Sequence, residues 1–238
     1  MLFRSRRLAH EIKNPLTPIQ LSAERLHAKL AGRLKGEDAE ALGRARDTIV
    51  NQVAALKNMV DEFREYARLP APTLHALDLN ALVREVYALY EHSDVPVELR
   101  LGQSLPPVRG DPAQLRQVIH NLIQNAQDAL AGRRDPRIEV RTERARDRVR
   151  LCVADNGGGF AESILKRVFE PYVTTKPRGT GLGLAIVKKI IEEHGGVLRL
   201  DDAKPTGDTQ HVGAAATIEL PKLQAEDAVR KSKKVNEQ

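Results

Sequence analysis

The sequence contains no tryptophan, and aromatic residues make up only 3% of its 238 residues, so any hydrophobic core must be aliphatic. A single cysteine, Cys152, excludes an intramolecular disulfide and any zinc site built from several cysteines. It lies in an alternating apolar run, which predicts a small buried residue rather than a reactive thiol. No run of about 18 apolar residues occurs, so no membrane-spanning helix is expected within this sequence.

Charges of both signs are present, and neither is concentrated. The formal net charge is +6, from 38 Lys and Arg against 32 Asp and Glu. The basic residues are scattered among acidic ones, whereas a nucleic-acid site needs a concentrated basic patch. Nucleic acid is therefore not expected as a direct partner.

The first 69 residues show helical periodicity. Two apolar stripes are separated by Gly32 and Gly36, which predicts two helices joined by a short turn. The stripes are Leu8, Ile12, Leu16, Ile19, Ala23, Leu26 and Leu30, then Leu42, Ile49, Val53, Leu56, Val60, Phe63 and Ala67. Because one hairpin cannot bury both stripes well, residues 1–69 are predicted to form a dimeric four-helix bundle.

Strand and helix signals alternate after residue 70. Pro70 and Pro72 predict a linker over 70–77, and Asp78 and Asp111 are suited to cap the helices that follow them. Strands are predicted near 97–101, 138–142, 149–153, 197–201 and 214–220, with a helix over about 181–194.

The predicted fold class is α+β with two domains. The helical hairpin of residues 1–69 is followed by an α/β sandwich over 78–221, in which helices cover one face of a mixed sheet. Residues 222–238 are charged and polar, and they predict a flexible tail.

His10 lies on the polar side of the first predicted helix. At roughly 100° per residue, the apolar stripe is centred about 165° away from it, so the imidazole should face water. Glu11 flanks it, and Asn14 lies one turn along the same face. A neutral imidazole is a good nucleophile, and a neighbouring carboxylate can fix which ring nitrogen carries the proton. Alternatively, the helix ends at Asn14, and His10 is an ordinary surface residue.

Two patterns favour a nucleotide site in the α/β half. Asn121 and Asn125 lie one helical turn apart, and their amide oxygens suit Mg²⁺, although a polar helix face is the alternative. Asp155 follows a predicted strand and precedes Gly157 and Gly159. Its carboxylate could accept a hydrogen bond from an adenine amino group, while the glycines admit a flat base. An ordinary turn is the alternative there.

The helix predicted from residue 181 opens with a second glycine cluster, formed by Gly179, Thr180, Gly181, Leu182 and Gly183. Glycines at a helix N-terminus present N–H groups to phosphate. Residues 169–176 are rich in loop formers and predict a lid whose Lys176 could reach the terminal phosphate, although a plain surface loop is the alternative. No Gly-Lys-Ser/Thr sequence occurs, so this cluster is not a P-loop.

Five segments follow one another in a fixed order: HEIKNP from residue 10, NLIQNA from 121, DNGGG from 155, FEPYVTTK from 169 and GTGLGL from 179. This order resembles that of the H, N, G1, F and G2 boxes of bacterial sensor histidine kinases, over about residues 5–220. The runs LAHEIKNPLTPIQLSAERL and MVDEFREYAR look most like the NtrY-type nitrogen-regulation kinases.

The resemblance implies an ATP-dependent protein-histidine kinase of a two-component system, with ATP and Mg²⁺ as cofactors. His10 would be phosphorylated with Glu11 as its acid–base helper, and the phosphoryl group would pass to an aspartate of an NtrX-type response regulator. Asn14 would support phosphatase activity on that regulator. Family members are homodimers, usually anchored in the inner membrane. This part would then be cytoplasmic, with the anchoring segments outside the present sequence.

In the α/β half, the resemblance makes Asn125 the principal Mg²⁺ ligand, supported by Asn121, and Asp155 the residue that reads adenine. The other nucleotide-binding residues would be Gly157, Gly159, Lys176, Gly179, Thr180, Gly181, Leu182 and Gly183. One position departs from the family, because many relatives carry a basic residue where this chain has Asp128. Lys176 or Arg178 could take over that contact with phosphate.

Two other classes of function stay open. Gyrase and Hsp90 hydrolyse ATP on the same nucleotide-binding fold, but they carry a glutamate one turn before the metal asparagine, where this chain has Asn121. The third class is a non-catalytic dimeric module that is gated by nucleotide, and the His10–Glu11 pair argues against it.

Overall fold

The structure, a computed structural model, describes residues 2–160, 165, 167–176, 179–203 and 213–223. The side chains of residues 2–11, 13, 65, 67 and 68 lie outside this description, as do Arg178 and most of the predicted tail. Contacts divide the chain into two compact units. A helical unit contains Met1–Leu69 with Thr174–Leu182, and an α/β unit contains Pro70–Val173 with Gly183–Gln238.

The helical unit contains the predicted hairpin, formed by α1 (Leu2–Leu30) and α2 (Glu37–Arg68). Gly36 precedes α2 with φ +59°, a conformation that favours glycine. Helix α1 continues through Pro15 and Pro18, so the alternative in which it ends at Asn14 is wrong. Each proline removes one backbone hydrogen bond from the helix. Leu16, directly after Pro15, is buried, and this tertiary packing offsets the loss.

Among the members of the two apolar stripes whose side chains are described, buried and exposed residues alternate. Leu16, Ala23, Val53 and Val60 are buried. A second set remains between 39% and 53% exposed: Ile12, Ile19, Leu26, Ile49 and Leu56. Its members on each helix are seven residues apart, so they form a continuous apolar strip that one chain leaves open to solvent.

The α/β unit is built on a five-stranded mixed sheet. Its strands are β2 (Val97–Leu101), β4 (Ile138–Ala145), β5 (Arg148–Asp155), β6 (Val197–Asp202) and β7 (Ala214–Pro221). Their order in the sheet is β2-β4-β5-β7-β6, in which β2 and β4 are parallel and the other neighbours are antiparallel. A short separate pair is formed by β1 (His75–Leu77) and β3 (Val108–Gly110).

The core lies between this sheet and three helices: α3 (Leu79–Tyr87), α4 (Pro112–Ala129) and α5 (Gly183–Glu193). Alternation sorts the strand residues, so that Val149, Leu151 and Val153 of β5 are buried with the apolar faces of the helices. The predicted α+β class and mixed sheet are therefore confirmed. Cys152 is a buried free cysteine, as predicted.

Three boundaries differ from the prediction. Residues 70–77 were expected to be a linker, but β1 occupies their second half and pairs with β3. A three-residue strand is too short to show a period of two. The sequence after the Asp78 cap predicts a helix over about 79–92, whereas α3 ends at Tyr87, before a turn that leaves Leu89 exposed. Helix α5 begins at Gly183 rather than 181, because Gly181 has φ +70°.

Asp111 organises the first turn of α4. Its Oδ1 accepts hydrogen bonds from the backbone N–H groups of Ala113 (3.0 Å) and Gln114 (3.2 Å), and its Oδ2 accepts one from Thr73 (3.0 Å). Its own N–H donates to Nε2 of the buried His194 (2.9 Å), whose Nδ1 then donates to the Ile190 carbonyl. His194 thereby ties the start of α4 to the end of α5.

Asp111→Ala is expected to lower the free energy of unfolding by about 1–2 kcal/mol at pH 7, because the cap is lost. Burial alone would raise the pKa of Asp111, but the backbone donors of Thr73, Gln114 and Ala113 outweigh it and hold the pKa below its ordinary value. The contribution is therefore complete above about pH 4 and is lost as the pH falls through the lowered pKa. Urea unfolding at pH 7 and at acid pH, followed by circular dichroism, measures the difference.

The matched control is Asp147→Ala, because Asp147 is an exposed residue in the β4–β5 turn. It should change stability by less than about 0.5 kcal/mol. If Asp111→Ala has an equally small effect at pH 7, or one that does not shrink in acid, the carboxylate is not the cap described above.

Candidate functional site

Helix α4 carries the two asparagines on the edge of its buried face. Leu122 and Ala126 point into the core, whereas Asn121 and Asn125 are half-buried one turn apart. Helix α5 begins beside them, because a Cβ added at Gly183 would lie 3.8 Å from Nδ2 of Asn125. The polar edge of α4 and the N-terminus of α5 therefore meet within the α/β unit.

Asp155 ends β5 with its carboxylate held in one orientation. Its Oδ1 accepts hydrogen bonds from the backbone N–H of Gly157 (2.7 Å) and of Ala214 (3.3 Å), and the residue is 9% exposed. A carboxylate fixed by backbone donors is a suitable acceptor for an exocyclic amino group such as that of adenine, because no reorientation is needed on binding.

Glycines surround this carboxylate at close range. A Cβ at Gly157 would lie 2.7 Å from Oδ1 of Asp155 and 3.4 Å from the Ala129 carbonyl oxygen. A Cβ at Gly213 would lie 1.7 Å from the Asp155 carbonyl oxygen. Gly213 was not predicted, because it belongs to no motif and only the pairing of β5 with β7 brings it to Asp155. Gly159 has φ +74°, and a Cβ at Gly158 would meet nothing within 4 Å.

Asn156 fixes the loop that carries these glycines. Its Oδ1 accepts a hydrogen bond from the Arg137 N–H (2.9 Å), and its Nδ2 donates to the Asp135 carbonyl (2.8 Å). Both partners precede β4, so the loop after β5 is fastened to the neighbouring strand. This structural role explains why asparagine follows Asp155 in the DNGGG segment.

The remaining nucleotide-binding candidates are divided between the two compact units. Lys176, Gly179, Thr180, Gly181 and Leu182 lie in the segment that groups with the helical unit, whereas Gly183 belongs to the α/β unit. The segment is folded on itself: the Lys176 N–H donates to Oγ1 of Thr174 (3.0 Å), and the Gly179 N–H donates to the Lys176 carbonyl (3.1 Å). The Thr180 hydroxyl donates to the carboxylate of Glu62 on α2.

The phosphoacceptor candidates lie on α1. His10 and Glu11 are within the helix, but their side chains are outside the described part of the structure. Asn14 is exposed, as predicted for that face. Asp128, at the position where the family resemblance predicts a basic residue, is exposed and accepts a hydrogen bond from Nε2 of Gln124 (3.3 Å).

The donor chemistry fits a metal that is bound together with phosphate. Among the described residues, no group of three or more His, Cys, Asp or Glu side chains is arranged to hold a metal ion. Asn121 and Asn125 offer neutral amide oxygens, which suit Mg²⁺ when phosphate oxygens and waters complete its coordination. None of the described helices is both long and apolar enough to span a bilayer.

These features define the α/β unit as a nucleotide-binding sandwich of the class that serves histidine kinases, and comparison with known families agrees. The model for histidine kinase-, DNA gyrase B- and HSP90-like ATPases matches residues 110–224. The model for the His Kinase A (phospho-acceptor) domain matches residues 5–72, which include α1, α2 and His10.

Individual proteins resemble the chain over most of its length. Nitrogen regulation protein NtrY of Azorhizobium caulinodans is 40% identical over 235 residues, which cover 96% of this chain and 30% of that protein. The crystallised catalytic domain of histidine kinase ThkA is 32% identical with TM-score 0.55, covering 63% of this chain and 95% of that one. ThkA in complex with response regulator TrrA is 28% identical with TM-score 0.63, covering 92% and 61%.

The chain belongs to the sensor histidine kinase family, and within that family it is similar to NtrY. It spans about a third of the length of the NtrY and NtrY-like proteins it matches. The family resemblance predicted from the five ordered segments is therefore confirmed.

Gly157→Ala is expected to weaken ATP binding at least tenfold, because the added methyl group collides with the carboxylate of Asp155. Gly158→Ala is the matched control, since its methyl group has open space. Titration with a fluorescent ATP analogue measures both dissociation constants. Equal affinities for the two variants would contradict the proposed contact of ATP with Asp155 beside Gly157.

Proposed function

We propose that this chain is the catalytic portion of a sensor histidine kinase, which phosphorylates His10 from ATP and passes the phosphoryl group to an aspartate of a response regulator. The observation that carries the proposal is the carboxylate of Asp155, oriented by two backbone N–H groups between Gly157 and Gly213. It stands in one chain with a helix that continues through the segment bearing His10.

The nucleotide is proposed to bind with its adenine against Asp155 and its phosphates towards the start of α5. The carboxylate of Asp155, held through Oδ1 by two backbone N–H groups, favours an amino group as its further donor. The first N–H groups of α5 favour an anion. Lys176 and the glycine cluster from Gly179 would close over the phosphates. Asn125 and Asn121 would hold Mg²⁺, which when bound neutralises phosphate charge.

Phosphoryl transfer then needs alignment more than covalent chemistry from the protein. A ring nitrogen of His10 attacks the γ-phosphorus in line, so that a nitrogen–phosphorus bond forms while the bond to the β,γ-bridging oxygen breaks and ADP leaves. Glu11 would hold the proton on the other ring nitrogen. Asn14, exposed on the same face, would orient water for the reverse, hydrolytic task on the regulator.

The regulator is proposed to be of the NtrX type, because the chain is 40% identical to NtrY. A complex between a related kinase and its response regulator supports a receiver domain as the partner class. By the same relationship, the chain would be the cytoplasmic portion of a sensor held at the inner membrane by segments outside this sequence.

An ATPase or a nucleotide-gated module is less well supported. The residue one turn before Asn125 is Asn121, whose amide cannot serve as a base for water. Neither alternative gives a function to a phospho-acceptor domain, whose model matches residues 5–72.

Incubation with Mg²⁺ and γ-labelled ATP is expected to give a label that is acid-labile and base-stable, as phosphohistidine is. The label should disappear in His10→Gln, because the nucleophile is gone. It should persist in His27→Gln, the same substitution on the same helix. Steady phosphate release that is unaffected by His10→Gln would instead identify an ATPase.

The helical unit is proposed to dimerise through the exposed strip of Ile12, Ile19, Leu26, Ile49 and Leu56. Sedimentation should show a dimer at micromolar concentration, and a monomer for Ile49→Glu combined with Leu56→Glu, because charges cannot be buried in the bundle core. Leu89→Glu is the control, since Leu89 is 72% exposed on the α/β unit. An unmodified protein that sediments as a monomer would contradict the four-helix bundle.

A further inference from the structure

Residues 70–77, which follow α2, are held by hydrogen bonds to the first turn of α4 and to the strand before it. The amide Nε2 of Gln114 donates to the Pro70 carbonyl (2.8 Å), and the Thr73 N–H donates to Oδ2 of Asp111 (3.0 Å). Residues 75–77 then pair with 108–110, the strand directly before Asp111. The predicted linker is thus part of the α/β unit from its first residue.

This attachment leaves a very short hinge in the connection from α2 to the α/β unit. Helix α2 ends at Arg68 and has Leu69 as its C-cap, with φ −47° and ψ 109°. Leu69 precedes a proline, which disfavours the helical region for it, and Pro70 is already bonded to Gln114. Only Leu69 therefore remains between the last helical residue and the first clamped one.

Packing alone does not explain a buried glutamine at position 114. It is 5% exposed, and among the described residues its Oε1 is a buried acceptor with no hydrogen-bond partner. An apolar side chain of similar volume would avoid that cost. The hydrogen bond that its Nε2 donates to the Pro70 carbonyl explains the amide at this position.

We infer that Gln114 and Asp111 are positioning residues that clamp residues 70–73 and leave Leu69 as the one unclamped residue in the connection from α2 to the α/β unit. The inference rests on the proposed kinase function, because His10 and the nucleotide site belong to different units and must be brought together. A short hinge raises the effective concentration of His10 at the γ-phosphate. Release of the clamp lengthens the hinge from Leu69 alone to residues 69–74.

Two variants open the clamp separately. Gln114→Met keeps the volume and loses the donor to Pro70. Asp111→Asn keeps an oxygen to cap α4 but places an amide where Oδ2 accepts from Thr73, and asparagine is as good an N-cap as aspartate. Gln103→Met is the control for the first, because Gln103 is exposed in the turn after β2.

The expected result is a fall in kcat of autophosphorylation of about threefold to tenfold in each variant, with a larger fall in the double variant, since effective concentration drops steeply with hinge length. The dissociation constant and KM for ATP should stay within twofold of the unmodified protein. Amide exchange at Thr73 should quicken in both variants. Gln103→Met should change none of these.

Unchanged exchange at Thr73 in both variants would overturn the clamp. A kcat equal to or above that of the unmodified protein, or an ATP affinity that falls together with kcat, would overturn the positioning role. If the unmodified protein takes up no label, the proposed kinase function fails. The exchange rates still decide whether the clamp exists, so the two failures are distinguishable.

Discussion

One carboxylate, that of Asp111, holds together the segments that meet at the start of α4. It caps α4, receives the Thr73 N–H, and belongs to the residue whose own N–H binds His194 at the end of α5. Helix α4 in turn buries Leu115, Val118 and Leu122 in the core while its edge carries Asn121 and Asn125. The position of the proposed metal ligands, the entry of the chain from the helical unit and the packing of α5 therefore share a single anchor. Loss of the cap, as in Asp111→Ala, would reach all three, although the residue touches none of the proposed ligands; Asp111→Asn keeps the cap.

Long periodic segments and local chemistry could be predicted from the sequence. The seven-residue spacing of Ile49 and Leu56 indicated the second helix, and Asp78 and Asp111 indicated the starts of α3 and α4, because capping is decided within three residues of the cap. Features that depend on distant pairing could not be predicted. β1 has only three residues and acquires its identity from β3, Gly213 reaches Asp155 only through the register of β5 and β7, and no local signal tied Pro70 to Gln114.

The candidate site shows the same division. The fixed Asp155 and the close approach of Gly157 follow from neighbouring residues, and the order of the motifs was enough to identify the family. The grouping of Thr174–Leu182 with the helical unit was not foreseen, because glycine-rich sequence specifies backbone freedom rather than a contact. The hydrogen bond from Thr180 to Glu62 depends on a residue 118 positions away, beyond the reach of any local pattern.

The apolar strip of Ile12, Ile19, Leu26, Ile49 and Leu56 has a consequence for the helical unit itself. If a second copy covers it, folding of the hairpin and association of the two chains become one equilibrium governed by mass action. Dilution would then lower the stability of the helical hairpin, and a higher local concentration of the chain would raise it.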